Sequence, residues 1–397
     1  MSGVGPDHCG SWCWKAPDLG GPGGSFAEPD DLLVLGGEPG QGLAAEVGEL
    51  RDCLLRCGQP FPELAVLERA EGPGPTAWRP VMPDDPRWLE RCYDDESLVT
   101  QIAGTIVPRD VRGEIMRSPT SSRTLPSLVV RMLEDLQVDD GHKVQEIGAG
   151  YSTGLVCARL GEDLVTSKEV DQDVAASATV ALGACGYFPE LVVGDGLVGH
   201  PESAPYDRTI ATCAVRDLPY AWVERTKPGG LILATLCGWM YASELARLTV
   251  GKDGVAPGRF LGGRVAFMLA RPHLPPDLGT LPDLDDADEQ PTEIGADVLD
   301  DWTTRFVAQL AAPRAQRVSL ELGGRTEHVL LDVDAGAWAA LAQDDRGAWT
   351  VRQGGPARLW DDVAEHIARW HSDGAPSLDR FEVTVTPAGH AVSWSKV

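Results

Sequence analysis

The stretch "HKVQEIGAGYSTGLVCARLG", His142 to Gly161, most narrows what this chain can fold into. A short apolar run passes through two closely spaced glycines into a segment with helical spacing. Such a strand–turn–helix lets backbone approach a ligand and leaves free N–H groups at the helix start. Further apolar runs follow: "LVTSKEVD", "ELVVGDG", "YDRTIATCAV" and "GGLILATL". Helical candidates lie at Thr124 to Leu136, Thr153 to Leu160, Asp173 to Cys185 and Tyr220 to Arg225. This alternation predicts βαβ units on a parallel sheet, an α/β fold over residues 93–273.

The ends of the first three strands carry a pattern. Gly148-Ala149-Gly150 follows the first, and Glu169, 21 residues after Gly148, closes the second where a ribose hydroxyl pair is gripped in this architecture. Asp195 ends the third, placed to accept a hydrogen bond from an adenine amino group. A glycine loop and two acids in that order point to an adenosyl ligand, although both acids could also serve as polar strand caps. A dinucleotide needs GxGxxG for its pyrophosphate, and Gly154 comes one position late for that frame. S-adenosylmethionine has no phosphate, needs fewer glycines, and brings a cationic sulfur that suits an acidic site. The expected cofactor contacts are Glu146, Gly148, Gly150, Glu169, Val170, Gly194, Asp195 and Gly196.

Charge narrows the partners. A net charge of −26 argues against nucleic acid, because phosphate binding needs clustered Lys and Arg. No apolar run of ~18 residues is present for a membrane helix, and the N-terminus lacks the basic-then-apolar order of a signal peptide, so a cytoplasmic protein is expected. The nine cysteines are scattered, with none in the last third, which fits reduced thiols. The Cys9/Cys13 and Cys53/Cys57 pairs are spaced more widely than a zinc hook, and no metal is expected.

At 397 residues the chain is long enough for two or three units. Residues 1–45 read as a flexible Gly/Pro-rich tail, and 46–92 as a helical and loop segment whose helix, Leu43 to Cys57, begins just ahead of it. The acidic, Pro-rich stretch at 274–294 reads as a linker. Residues 295–397 then form an expected α+β domain, with helices at Leu299 to Leu310 and Leu359 to Trp370 and strands "QRVSLEL", "EHVLLDV", "WTVRQG" and "FEVTVTP".

Taken together, "VQEIGAG", "EVD", "VVGDGLVGHPESAPYDRTIATCAV" and "ERTKPGGLILA" resemble the protein-L-isoaspartate O-methyltransferase family over roughly residues 93–272. A narrower likeness lies in "YDDESLVTQ", "SPTSSRTLPSLVVRMLEDL", "GRFLGG" and "WTVRQGGPARLWD". These resemble the methyltransferases of ATP-grasp peptide maturase systems, which act on graspetide precursors, and extend the resemblance over most of 80–397. The resemblance implies a Rossmann-like S-adenosylmethionine-dependent methyltransferase with a C-terminal α+β domain, itself a candidate for peptide docking. It also implies a catalytic hydroxyl ahead of a proline and a helix. Thr124 takes that place, with Ser121 and Ser122 just upstream, while capping of the helix by Thr124 or Ser127 is the other use of such a cluster.

The reaction implied is an in-line displacement by an Asp or isoaspartyl carboxylate on the methyl of S-adenosylmethionine. A carboxylate with an ordinary pKa of ~4 is already ionised and needs no general base. The ester can then close on the neighbouring backbone amide, expelling methanol and giving an aspartimide (succinimide). In the graspetide branch the substrate implied is a precursor peptide already cross-linked by an ATP-grasp ligase. General isoaspartate repair, and a non-catalytic peptide-binding role for the fold, are the alternatives.

Four features depart from the family. Its loop reads GxGxGY or GxGxGW, so two residues are missing before Tyr151. If the helix absorbed the loss, its faces would turn by ~200° at ~100° per residue and expose the apolar stripe Leu155, Val156 and Leu160, so a tighter loop is expected. Gln145 and Lys168 stand where a buried parallel sheet expects aliphatics, and Arg123 intrudes beside Thr124.

Overall fold

The computed structural model describes residues 65–70, 76–322 and 324–396. The expected tail 1–45, the helix Leu43 to Cys57 and the cysteines Cys9, Cys13, Cys53 and Cys57 lie outside the described residues. No helix among the described residues is long and apolar enough to cross a membrane.

A small antiparallel sheet comes first, made of β1 (Val66–Arg69), β2 (Trp78–Val81), β3 (Leu98–Ile102) and β4 (Pro119–Arg123), in the order β2-β1-β3-β4, with α1 (Trp88–Tyr93) before β3. Leu98 packs with Val66, Val81 and Trp88, whereas Val99 joins Leu67, Ile102 and Val111 in a separate cluster. Strict alternation would put Val99 and Gln101 on one face and Ile102 on the other. Register shifts on either side of Gln101 reverse this, so that the polar residue leaves the apolar side. The Ser/Thr cluster, read from sequence as the approach to a helix, is therefore the edge strand β4. Helix α2 (Pro126–Asp135) follows it, with Pro at its first turn and Leu125 at the N-cap. Neither Thr124 nor Ser127 caps α2; the Ser127 N–H donates instead to Asp95 Oδ1 at 2.9 Å.

The parallel sheet alternates strands and helices: β5 (Val144–Ile147), α3 (Tyr151–Leu160), β6 (Val165–Glu169), α4 (Gln172–Ala184), β7 (Glu190–Val193), β8 (Tyr206–Val215), α5 (Tyr220–Arg225) and β9 (Thr226–Cys237). Its order β7-β6-β5-β8-β9 is that of a Rossmann-like half, so the switch point lies between β5 and β8. Antiparallel β10 (Ser243–Thr249) and β11 (Ala256–Phe260) widen it beyond β9. On α3, Leu155 and Val156 are buried and Leu160 packs partly buried against the same cluster, so the two-residue deficit is taken up in the loop and leaves the helix face unturned.

Beyond β11 the chain departs from the expected linker and separate domain. A second sheet, ordered β12-β16-β15-β14-β13, contains β12 (Gln290–Thr292), β13 (Gln316–Leu322), β14 (Arg325–Asp332), β15 (Ala337–Gln343) and β16 (Trp349–Gly354), with α6 (Trp302–Ala311) and α7 (Leu359–Ser372) between the sheets. The segment read as a linker packs Leu278, Leu281, Leu284 and Ala287 onto Val329, Leu331 and Trp338. The terminal hairpin β17 (Phe381–Thr386) and β18 (Gly389–Trp394) then returns to pair with β11, completing a nine-stranded sheet. The boundary expected at 295 is thus corrected. Phe260, Phe306 and Phe381 meet edge to face, with centroids 5.2 and 6.4 Å apart, and one core runs through both regions.

Candidate active site

The carboxyl ends of β5, β6, β7 and β8 open into one pocket, where a ligand is expected at a switch point. Gly148 and Ala149 come from the loop after β5, Glu169 and Val170 from the end of β6, Asp195 to Leu197 from beyond β7, and Thr212 and Cys213 from β8. Thr120, Ser121 and Ser122 of β4 form the wall on the small-sheet side, and Met268 to Pro272 form the remaining wall. Segment 268–272 is fastened to β8 by two hydrogen bonds of 2.8 Å, Ala214 N–H to Met268 O and Ala270 N–H to Ala214 O.

Short polar contacts set the glycine loop. Gly148 N–H donates to Lys168 O at 2.9 Å, and its own carbonyl accepts from Ser167 Oγ at 2.6 Å. Gly150 is the N-cap of α3, and its N–H donates to Thr153 Oγ1 at 2.9 Å. Beneath lies Glu146, fully buried, which accepts from Ser152 Oγ and from Thr153 Oγ1, the latter at 2.6 Å. Burial pushes its carboxyl up to about 7, against the lowering effect of those hydroxyls. This polar floor explains how a loop two residues short still starts a helix in step.

Glu169 lies at the pocket edge and accepts from the Asp171 N–H at 2.9 Å; burial raises its pKa. Asp195 Oδ1 accepts from Leu197 N–H at 2.9 Å, which turns the chain back towards the pocket. A Cβ on Gly148 would fall 2.3 Å from Thr212 Oγ1, and one on Gly196 would fall 2.4 Å from Ile147 Cγ2. Two close-packed glycines, a strand-end acid and the half-exposed apolar Val170 fit an adenosyl group. Cys213 also lines the pocket, and burial with the nearby Glu169 and Asp195 pushes its thiol up to about 12, which disfavours the thiolate.

Of the residues expected to touch cofactor, Gly148, Glu169, Val170, Asp195 and Gly196 line the pocket. The other three stand just off that lining: Glu146 is a floor beneath the loop, Gly150 is the N-cap of α3, and Gly194 backs onto Lys168, whose Cε would lie 3.3 Å from an added Cβ. Among the hydroxyls, Ser121 and Ser122 line the pocket and Thr124 does not, because β4 ends at Arg123 and the chain turns into α2. Ser121 Oγ accepts from Thr100 Oγ1 at 2.8 Å, which leaves its own proton to donate.

The polar intruders are all partnered. Lys168 Nζ donates to Gly199 O at 2.7 Å, and Gln145 Oε1 accepts from His200 N–H at 2.8 Å, so both hold the loop after β7. Arg123 donates to the carbonyls of Asp94 and Glu96 at 3.0 Å and stacks over the Tyr151 ring at 5.6 Å, joining β4 to the first turn of α3. Sequence reasoning missed Thr120, Thr212 and Arg271. Arg271 pairs with Asp171, and nothing in the local pattern around "ARPH" marks it, since its partner lies 100 residues away.

Residues 107–250 match the family described as protein-L-isoaspartate(D-aspartate) O-methyltransferase. A protein-L-isoaspartate O-methyltransferase of Methanopyrus kandleri is 35% identical over 170 residues, which span 40% of this chain and 74% of that protein. One of Methanosarcina mazei is 34% identical over 134 residues, spanning 32% and 54% respectively. A solved structure of a protein-L-isoaspartate O-methyltransferase aligns with a TM-score of 0.46 at 21% identity, covering 77% of this chain and 88% of the other. The chain therefore belongs to the protein-L-isoaspartate O-methyltransferase family, carboxyl O-methyltransferases that use S-adenosylmethionine.

Proposed function

We propose that the chain esterifies an Asp or isoaspartyl carboxylate of a ribosomally made peptide, in graspetide biosynthesis, and that the ester then closes to an aspartimide. The observation that supports a carboxyl substrate is the shared pocket, in which the Ser121 and Ser122 hydroxyls face the loop and acids that fit the cofactor. The bound cofactor supplies an electrophilic methyl on a cationic sulfur. With that group bound, a substrate carboxylate, ionised at neutral pH, would form the new O–C bond as the C–S bond broke and left its electron pair on sulfur. The protein's share is positioning: hydroxyl donors orient the carboxylate, and the pocket holds the reacting atoms ~3–3.5 Å apart. Closure to aspartimide needs only the next backbone amide nitrogen, with methanol leaving. The peptide is proposed to arrive already cross-linked by an ATP-grasp ligase, in the cytoplasm. The resemblance of "WTVRQGGPARLWD" and its neighbours to the maturase-associated branch supports this.

General repair of isoaspartyl proteins is the second reading, favoured by the relatives matched over the catalytic core. Parallel assays with S-adenosylmethionine on a simple isoaspartyl peptide and on a ligase-cross-linked precursor separate the two by mass spectrometry. Methyl gain or water loss on the cross-linked peptide supports the graspetide reading, and turnover of the simple peptide alone overturns it. Calorimetry with S-adenosylhomocysteine tests the third, non-catalytic reading, to which binding no tighter than millimolar would point.

A further inference from the structure

We propose that Gln101 is a positioning residue that ties the cofactor end of the pocket to the hydroxyl-bearing strand β4, so that binding at Glu169 orders Ser121 and Ser122. The link serves any carboxylate substrate and does not depend on which peptide is modified.

The Gln101 amide is 3% exposed, and both of its ends are used. Its Nε2 donates to Asp171 Oδ2 at 3.1 Å, while its Oε1 accepts from Thr120 Oγ1 at 2.7 Å and from Arg271 Nη2 at 3.1 Å. Only a group with a donor on one side and an acceptor on the other satisfies these three neighbours. A carboxylate would meet Asp171 without a proton, and an ammonium would meet Arg271 and Thr120 without an acceptor.

Each partner leads to a different wall. Asp171 Oδ1 caps α4 through the N–H groups of Asp173 and Val174, and the Asp171 N–H donates to Glu169, the ribose-side acid. Arg271, paired with Asp171, carries segment 268–272. Thr120 also accepts from Gly104 N–H at 2.9 Å, so its proton is committed to Gln101, and it adjoins Ser121 and Ser122. The chain Glu169–Asp171–Gln101–Thr120 is continuous, and buried networks of this kind lose more than one bond's worth when one member is mismatched. The register shifts on both sides of Gln101 give a second, independent sign of purpose, since they are what turn this side chain away from the apolar face.

Gln101→Glu and Asp171→Asn each break the donor–acceptor match; the double variant restores the bond between 101 and 171 with the roles exchanged, and Arg271 trades its carboxylate partner at 171 for the one at 101. Amide hydrogen exchange at 119–123 with and without S-adenosylhomocysteine, together with its affinity by calorimetry, reads the coupling without any peptide substrate. In the wild type, S-adenosylhomocysteine is expected to slow exchange at 119–123. Each single variant should lose most of that protection and bind about tenfold more weakly, and the double variant should recover to within about threefold. Thr120→Val gives a second arm at the β4 end, because it removes the hydroxyl that Gln101 and the Gly104 N–H both use: the protection conferred by S-adenosylhomocysteine should fall. Wild-type protection in Gln101→Glu, a double variant no better than the singles, or unchanged protection in Thr120→Val would overturn the proposal.

Discussion

Gly148 and Thr212 leave no room between them: a Cβ on Gly148 would stand 2.3 Å from Thr212 Oγ1, itself hydrogen-bonded to Ile147 O at 3.1 Å. Gly148 also holds φ +108°, where a side chain is strained by roughly 1–3 kcal/mol. Gly148→Ala is therefore expected to weaken S-adenosylhomocysteine binding at least about tenfold in calorimetry, about 1.4 kcal/mol. Gly150→Ala shares the backbone strain, at φ +146°, but meets nothing within 4 Å and should cost less. Equal affinities for both variants and the wild type would refute this account of the loop.

The pocket assigns the hydroxyls unequal roles. Ser121→Ala and Ser122→Ala should each slow methyl transfer by about 10- to 100-fold, the loss of one hydrogen bond to a charged group at ~1.5–3 kcal/mol. Thr124→Ala, outside the pocket, should stay within about threefold. Initial rates on whichever peptide the wild type turns over decide it, and a Thr124 variant slower than both serines would reverse the assignment.

Glu146 makes stability depend on pH with a defined sign. Its folded-state pKa of about 7 lies above the ordinary 4.5, so the folded chain holds the proton more tightly. Stability from this group is complete below pH 4.5, falls as pH rises, and levels off above about 7. The total is on the order of 3 kcal/mol. Thermal midpoints measured from pH 5 to 8 should fall for the wild type relative to Glu146→Gln, and parallel profiles would show that Glu146 does not titrate in this range.

Phe381, fully buried, lies against Phe306 although β17 opens the chain's last hairpin. Phe381→Ala should cost ~3–5 kcal/mol. Removing residues 381–397 should prevent folding of the nine-stranded sheet as well as of the C-terminal part. A single cooperative thermal transition is expected for the intact chain, and two separate transitions in calorimetry would mean that the two regions fold independently.

Much of the parallel sheet was legible. "YDRTIATCAV" became β8 residue for residue, and Tyr220 to Arg225 became α5, because strands buried on both faces are apolar runs and the helices between them carry their own spacing. The acids at strand ends were legible for the same local reason. The Ser/Thr strand was not, since a polar edge strand looks like a loop until its partner is known, and that partner, β3, lies about 20 residues upstream behind two register shifts.

Local pattern thus determined the α/β alternation, the glycine turn and the two acids, since each is encoded within a few residues. Tertiary structure alone decided which hydroxyls face the pocket, that Glu146 supports the loop from below, and that Gln101, Asp171 and Arg271 meet. It also decided that the last hairpin belongs to the first sheet. Pairings across 70 to 170 residues depend on register and on the fit of buried polar partners. Neither leaves a periodic trace in the chain.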